Sequence, residues 1–367
     1  MLSLLLLPPS AVPATAPQAD AAQVRPYQSL DLEVRHVPPV ARIEGEDRLV
    51  YELHATNFSS RALAIRALEV LDTASGRARA SIDPAQAMRR IGARRSGDAV
   101  SLAPGERAIF YISIPWPDGA PAPLVHRVTF DALREGQAPD SVAIVGGAVT
   151  PRAPLAAELG APLAGGPWAA VALPEHDAGH RRYLYAVSGR VRIPGRHAID
   201  WMPARGFDPR SAGRDVAADG SGAEVLTVAD GEVVAARELP APGARPSVED
   251  ETGAMIVLRL ADDRYAHYQH LRPGLAVRPG MRVRRGQAIA RLGATGHVTQ
   301  PHLHFHIADG SGPLDSEGLP YRLGAGWIVG RYDDVAEGFQ SRDWRPELRR
   351  PMDGLPAANA VVRFDAE

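Results

Sequence analysis

The chain has 367 residues, 45% hydrophobic and 23% charged, with a formal net charge of −2, which suits a folded protein of two ordinary domains without the basic excess of a nucleic-acid binder. It contains no cysteine, and all 41 basic residues are arginine. Disulfides, thiolate ligands, cysteine nucleophiles and lysine-attached cofactors are thereby excluded.

Residues 1–24 begin MLSLLLLPPSAVPATA, a short apolar stretch followed by Ala14-Thr15-Ala16, which resembles a small-residue cleavage site. A basic segment before the apolar run is missing. The expectation is a signal peptide and linker, with export to the periplasm or cell envelope. Neither this run nor any later one is long enough to span a bilayer.

From 28 to 150 the pattern is that of β-structure. LDLEVRHV, LVYELHATN, AIFYISIPW and LVHRVTF are strand candidates separated by Gly, Pro, Asp and Ser turns. They predict an N-terminal immunoglobulin-like β-sandwich. ALAIRALEVLD (62–72) reads as a helix or a further strand, and ARASIDPAQAMRRIGARRSGD (78–98) as a long loop. His36, His54 and His126 are isolated and read as structural or surface residues. A linker follows 150 and leads into a second domain over 165–325, with 326–367 as a C-terminal extension in which VVRF reads as a closing strand.

Nine of the 12 histidines lie between 176 and 306, so the second domain holds the chemistry. Strand signals recur there in EVLTVADGEVVAARE, AMIVLRLAD, RYAHYQHL and HLHFHI. In VRPGMRVRRGQAIARLG, Gly280, Gly286 and Gly293 punctuate two short strands, as in small hairpin folds. Biotin and lipoate carriers share that pattern, but they need an acceptor lysine. PHLHFHI (301–307) places His302, His304 and His306 on one face of a strand and Leu303, Phe305 and Ile307 on the other. The second trio suits a core and the first a cleft.

GHRR (179–182), RHAIDW (196–201), YQHL (268–271) and HLH (302–304), with the glycine-punctuated run between the last two, resemble the lysostaphin-type, LytM-like zinc metallopeptidases over about residues 165–320. The resemblance implies an antiparallel β-sheet metallopeptidase domain with a groove over one sheet. It also implies one Zn2+ held by His, Asp and His, and peptidoglycan peptides as substrate. Carried over by position, Asp200 and His304 are metal ligands, His302 is the general base and His270 a second uncoordinated histidine. The chemistry is coherent, because zinc takes imidazole nitrogen and carboxylate oxygen and a catalytic site keeps one position for water. Uncoordinated histidines beside it move protons and stabilise the oxyanion.

The first ligand departs from the family pattern. A histidine commonly lies four residues before the aspartate, and here that residue is Arg196. His180 is the preferred substitute, with RRYLYAVSGRVRIPGR (181–196) as an inserted hairpin. His197 requires a bulge to reach the face of Asp200, and His176 would share a helical face with His180. His267 lies three residues before His270, so alternation turns it away and makes it structural. His306 stands where the family often has an acidic or amide residue, and is read either as a partner of the ligands or as solvated. Arg181, Arg182 and Arg196 are read as neutralising a substrate carboxylate or Asp200, or as surface salt bridges. The reading is a zinc endopeptidase acting on peptidoglycan stems or cross-bridges. The alternative is an inactive module of the same fold that binds or activates other wall hydrolases.

Overall fold

The computed structural model describes residues 29–82, 101–117, 121–132, 140–155, 157–171, 174, 179–239, 248–333 and 343–364. The expected leader, most of the 78–98 loop and His176 lie outside them. Among the described residues the only helices are short 3-10 turns at His180–Arg182, Pro209–Ala212 and Val248–Thr252. The rest of the regular structure is β, which follows from a sequence rich in short alternating runs cut by glycine and proline.

The N-terminal region forms two antiparallel sheets of four and five strands. In one, Glu46–Asn57 pairs with Leu30–Glu33, Val40–Ile43 and Arg107–Pro115. In the other, Leu63–Asp72 pairs with Ala78–Ile82, Ser101–Leu102 and Leu124–Ala132, and the last of these pairs with Asp140–Val149. The 62–72 segment is thus a strand, and the start of the expected loop at 78 is a strand as well. Leu49, Tyr51, Leu53, Phe110 and Ile112 from the first sheet share one core with Leu68, Val70, Val128 and Phe130 from the second. This is the layered burial of a sandwich.

The second region is an eleven-stranded sheet. Its order runs Arg282–Val283, Gly231–Arg237, Ala254–Leu260, Tyr265–Leu271, Leu303–Ala308, Ile199–Asp208, Gly165–Val171, Ala360–Phe364, Trp327–Arg331 and Arg345–Pro351, with Gly318–Leu319 paired to Leu303–Ala308. The C-terminal extension is therefore part of this sheet. The VVRF strand pairs antiparallel with both Gly165–Val171 and Trp327–Arg331. Leu303, Phe305 and Ile307 are fully buried in the core beneath the sheet. Each contributes about 1.5–3 kcal/mol of apolar burial, which fixes the opposite face for the histidines. Gly280 and Gly286 have the positive φ expected of turn glycines. Gly293 does not; a Cβ there would meet the backbone of Leu271 and Arg272 at 2.5–2.7 Å, so it is small because two chain segments touch.

The two regions are joined by apolar and ionic contacts. Ala41, Ile43 and Val50 belong to the same cluster as Met352 and Leu355 of the tail. Glu44 accepts from Arg331 and from the Ala357 amide, both at 2.9 Å. Deeper, Glu52 lies between Arg181 and Arg196, at 2.5 Å from the Nε of the first and 2.8 Å from the Nε of the second. Burial disfavours the Glu52 carboxylate, but the two guanidinium charges more than offset this and hold its pKa at about 2. Removing one partner of such a buried pair costs about 3–5 kcal/mol.

His126 is fully buried in the sandwich. Its Nδ1 lies 2.9 Å from the Gly147 carbonyl and its Nε2 2.8 Å from the Tyr51 hydroxyl. The carbonyl can only accept, so Nδ1–H donates to it and Nε2 accepts from Tyr51, an arrangement only the neutral ring satisfies. Burial depresses its pKa to about 4. The unfolded chain takes up this proton below about pH 6.5 and the folded chain does not. The stabilisation is full above pH 6.5 and declines as pH falls towards 4, by about 3 kcal/mol in all. Melting temperature is expected to fall from pH 7 to pH 5, and less steeply in His126→Gln. Equal slopes for the two proteins would remove His126 from the account.

Candidate metal centre

The register of three neighbouring strands assembles the site. Asp200 on Ile199–Asp208 is directly opposite His304 on Leu303–Ala308, while Ile199 and Trp201 on either side face the core. On the other flank of Leu303–Ala308, Gln269 is opposite His304 and His267 opposite His306. Opposed residues share a face, so His267 lies on the histidine side of the sheet. This corrects the expectation that it turns away.

The reason is a bulge at His270. Tyr268 and Leu271 are both buried in the core, although they are three residues apart. Pairing with Ala254–Leu260 slips between Ile256↔Tyr268 and Ala254↔Leu271, leaving Gln269 and His270 opposite one residue. His270 absorbs the slip with φ +64°, in the left-handed region where a side chain is strained. It therefore keeps the same face as His267 and His304. The Tyr-x-x-Leu spacing in YQHL was the available signal, since a regular strand cannot bury both residues.

His180 comes from outside the sheet. It opens the 3-10 turn His180–Arg182, ahead of a hairpin of Tyr185–Val187 and Arg190–Arg192 that realises the expected insertion. Gly195 lets the turn close on the far end of this hairpin, because a Cβ there would lie 2.7 Å from the His180 Cβ. Arg181 and Arg196 do not face Asp200, a substrate or open solvent. Both are buried against Glu52 of the N-terminal region, and Arg196 also reaches Glu317 at 2.8 Å. The Arg182 guanidinium sits 3.9 Å over the Tyr111 ring. His197 is buried, and burial followed by the charges of Arg196 and Arg181 holds its pKa well below the usual range. It is not among the grouped ligand atoms.

Those atoms belong to His180, Asp200 and His304, all within 4.8 Å of one another. His180 Nε2 is 2.8 Å from Asp200 Oδ2, His304 Nδ1 is 3.0 Å from Asp200 Oδ1, and the two nitrogens are 3.2 Å apart. Ligand atoms about 2.0–2.1 Å from a tetrahedral zinc are separated by roughly 3.3 Å. Two imidazole nitrogens and a carboxylate converging at this spacing fit such an ion. Asp200 is only 7% exposed. Burial opposes its ionisation, yet His180 and His302 hold it well below the usual carboxylate range. The carboxylate in turn raises His180 against the effect of burial.

The remaining histidines divide by their tethers. His302 Nδ1 lies 2.9 Å from the Gln300 carbonyl and His270 Nδ1 2.9 Å from the Thr295 carbonyl. Each Nδ1–H donates, so each neutral ring keeps a lone pair on Nε2. The two rings are 4.7 Å apart, and His302 Nε2 is 3.7 Å from Asp200 Oδ1. Burial, then His302 and His304, push His270 down to about 3. With His304 offering Nδ1 as ligand, its Nε2–H donates to His306 Nδ1 at 3.0 Å. His306 is fully buried and stacked on His267 at 4.5 Å, so it is a partner of the ligand and not a solvated residue.

The family match of this chain falls within this second region. The profile of peptidase family M23 matches residues 210–316, a span that includes His270, His302 and His304 and begins after Asp200. No curated protein matches the chain. Among solved structures, the catalytic domain of lysostaphin from Staphylococcus simulans is 24% identical, over 37% of this chain and 81% of that one, with a TM-score of 0.25. A variant catalytic domain of the prophage-encoded M23 protein EnpA from Enterococcus faecalis is 18% identical, over 42% and 88%, with a TM-score of 0.27. A zinc-containing peptidase from Vibrio cholerae is 17% identical, over 76% and 81%, with a TM-score of 0.23. Over residues 210–316 the chain is similar to peptidase family M23.

Proposed function

We propose that the protein is a zinc-dependent endopeptidase that hydrolyses peptide bonds in peptidoglycan stems or cross-bridges. The observation that carries this reading is the convergence of His180, Asp200 and His304 beside two histidines, His302 and His270, whose Nε2 lone pairs are left free. Zinc held there would supply Lewis acidity and lower the pKa of a bound water to about 7. His302 is the general base: it takes a proton during attack on the scissile carbonyl and returns it to the leaving amine. His270 cannot donate from Nε2 while neutral, so it stabilises the oxyanion only after taking up a proton. Its strained backbone holds it within 4.7 Å of His302, where the two rings can serve one reacting group. The apolar leader read at the N-terminus supports a location in the cell envelope, where such a polymer lies.

Metal analysis of the purified protein is expected to find about one zinc per chain. His180→Ala and Asp200→Ala should lose it on dialysis, and His197→Asn should retain it. The reverse pattern for His180 and His197 would reassign the first ligand. Protein that takes up no metal at any ratio would favour a binding module over an enzyme.

Incubation with purified sacculi in the presence of zinc should release muropeptides resolvable by chromatography. His302→Ala is expected to slow release by about 100-fold or more while keeping its zinc. Absence of release from wild type, with His304→Ala indistinguishable from it, would refute the enzymatic reading.

A further inference from the structure

His180 stands outside the sheet that fixes the other two ligands, and something else must hold it in place. Its own turn is short, and the Gly179 cap makes no side-chain hydrogen bond. The next residue, Arg181, is only 2% exposed and points into the N-terminal sandwich. Its Nε lies 2.5 Å from Glu52 Oε1, and one of its terminal nitrogens donates to the carbonyls of Tyr51 and of Ile112, the latter at 2.8 Å. The other oxygen of Glu52 is 2.8 Å from the Nε of Arg196. Arg181 and Arg196 are the first and last residues of the insertion that separates His180 from Asp200. One carboxylate from the N-terminal sandwich therefore gathers both ends of the insertion, and Gly195 lets its far end close on His180.

We propose that Glu52 is a positioning residue of the metal centre, acting through Arg181 and Arg196 to set His180 against Asp200 and His304, so that the N-terminal sandwich is a working part of the site. The proposal rests on the metal-centre reading above. Glu52 touches no ligand and no substrate. Its role is to hold closed a loop whose entropy would otherwise oppose the three-ligand geometry. The arginine four residues before Asp200 marks the same arrangement: it faces the sandwich, and the ligand role passes to His180.

The test is zinc affinity of the full chain, measured by competition with a chromophoric chelator and read beside the melting temperature of the metal-free protein. Glu52→Gln is expected to weaken zinc binding by roughly 10- to 100-fold, the range seen when a residue supporting a metal ligand is removed. Glu317→Gln is the control. It removes a buried carboxylate from the same Arg196 without touching Arg181, and should leave affinity within about threefold of wild type, below that range. Arg181→Gln keeps the Glu52–Arg196 pair, guards against misfolding of Glu52→Gln, and should weaken zinc binding in the same direction. Folded Glu52→Gln or Arg181→Gln with wild-type affinity would overturn the proposal, as would an equal loss in Glu317→Gln. Wild-type protein that binds no zinc would instead overturn the metal centre itself.

Discussion

A carboxylate kept almost wholly from water must be answered by positive charge, and Asp200 organises the site on that condition. Desolvation would otherwise drive it to protonate. Instead two imidazole nitrogens lie within 3.0 Å of its oxygens and a third at 3.7 Å. The strand pairing puts Asp200 opposite His304 on one face, and a slip of either strand by one residue would turn its side chain into the apolar core. Burial of Leu303, Phe305 and Ile307 thus fixes the geometry of the Asp200–His304 pair as firmly as any hydrogen bond does.

A second tier of histidines keeps the first in a defined protonation state. His306 Nδ1 lies 3.0 Å from His304 Nε2, and the backbone carbonyls of Gln300 and Thr295 fix the tautomers of His302 and His270. Backbone tethers of this kind add no competing charge. They leave an Nε2 lone pair on each of two adjacent rings, and the rings differ in position and backbone strain. His270 alone of the site histidines has a left-handed backbone.

How much of this could be read from the sequence follows the range of the interactions involved. The three-histidine face of PHLHFHI is a local consequence of alternation, and it emerged as written. The pairing of Asp200 with His304 was accessible only through resemblance, since their separation of 104 positions leaves no local trace. His267 was misread because the rule of two was applied through a bulge, which the Tyr268–Leu271 spacing had already made necessary. Arg181 and Arg196 were misread for a different reason. Their partner Glu52 lies 129 positions before Arg181, in a strand that reads simply as half-buried sheet. Nothing local distinguishes an arginine bound for an interface from one bound for solvent.

The position of the Ala360–Phe364 strand has a consequence for how the chain reaches its native state. It occupies an interior slot, between Gly165–Val171 and Trp327–Arg331. During synthesis the Gly165–Val171 edge stays without its second neighbour until Ala360–Phe364 has emerged. Long-range antiparallel closure of this sort is slow, and an unsealed apolar edge recruits other chains. Ala360–Phe364 is therefore the keystone of the eleven-stranded sheet, and losing it would open the sheet in its middle.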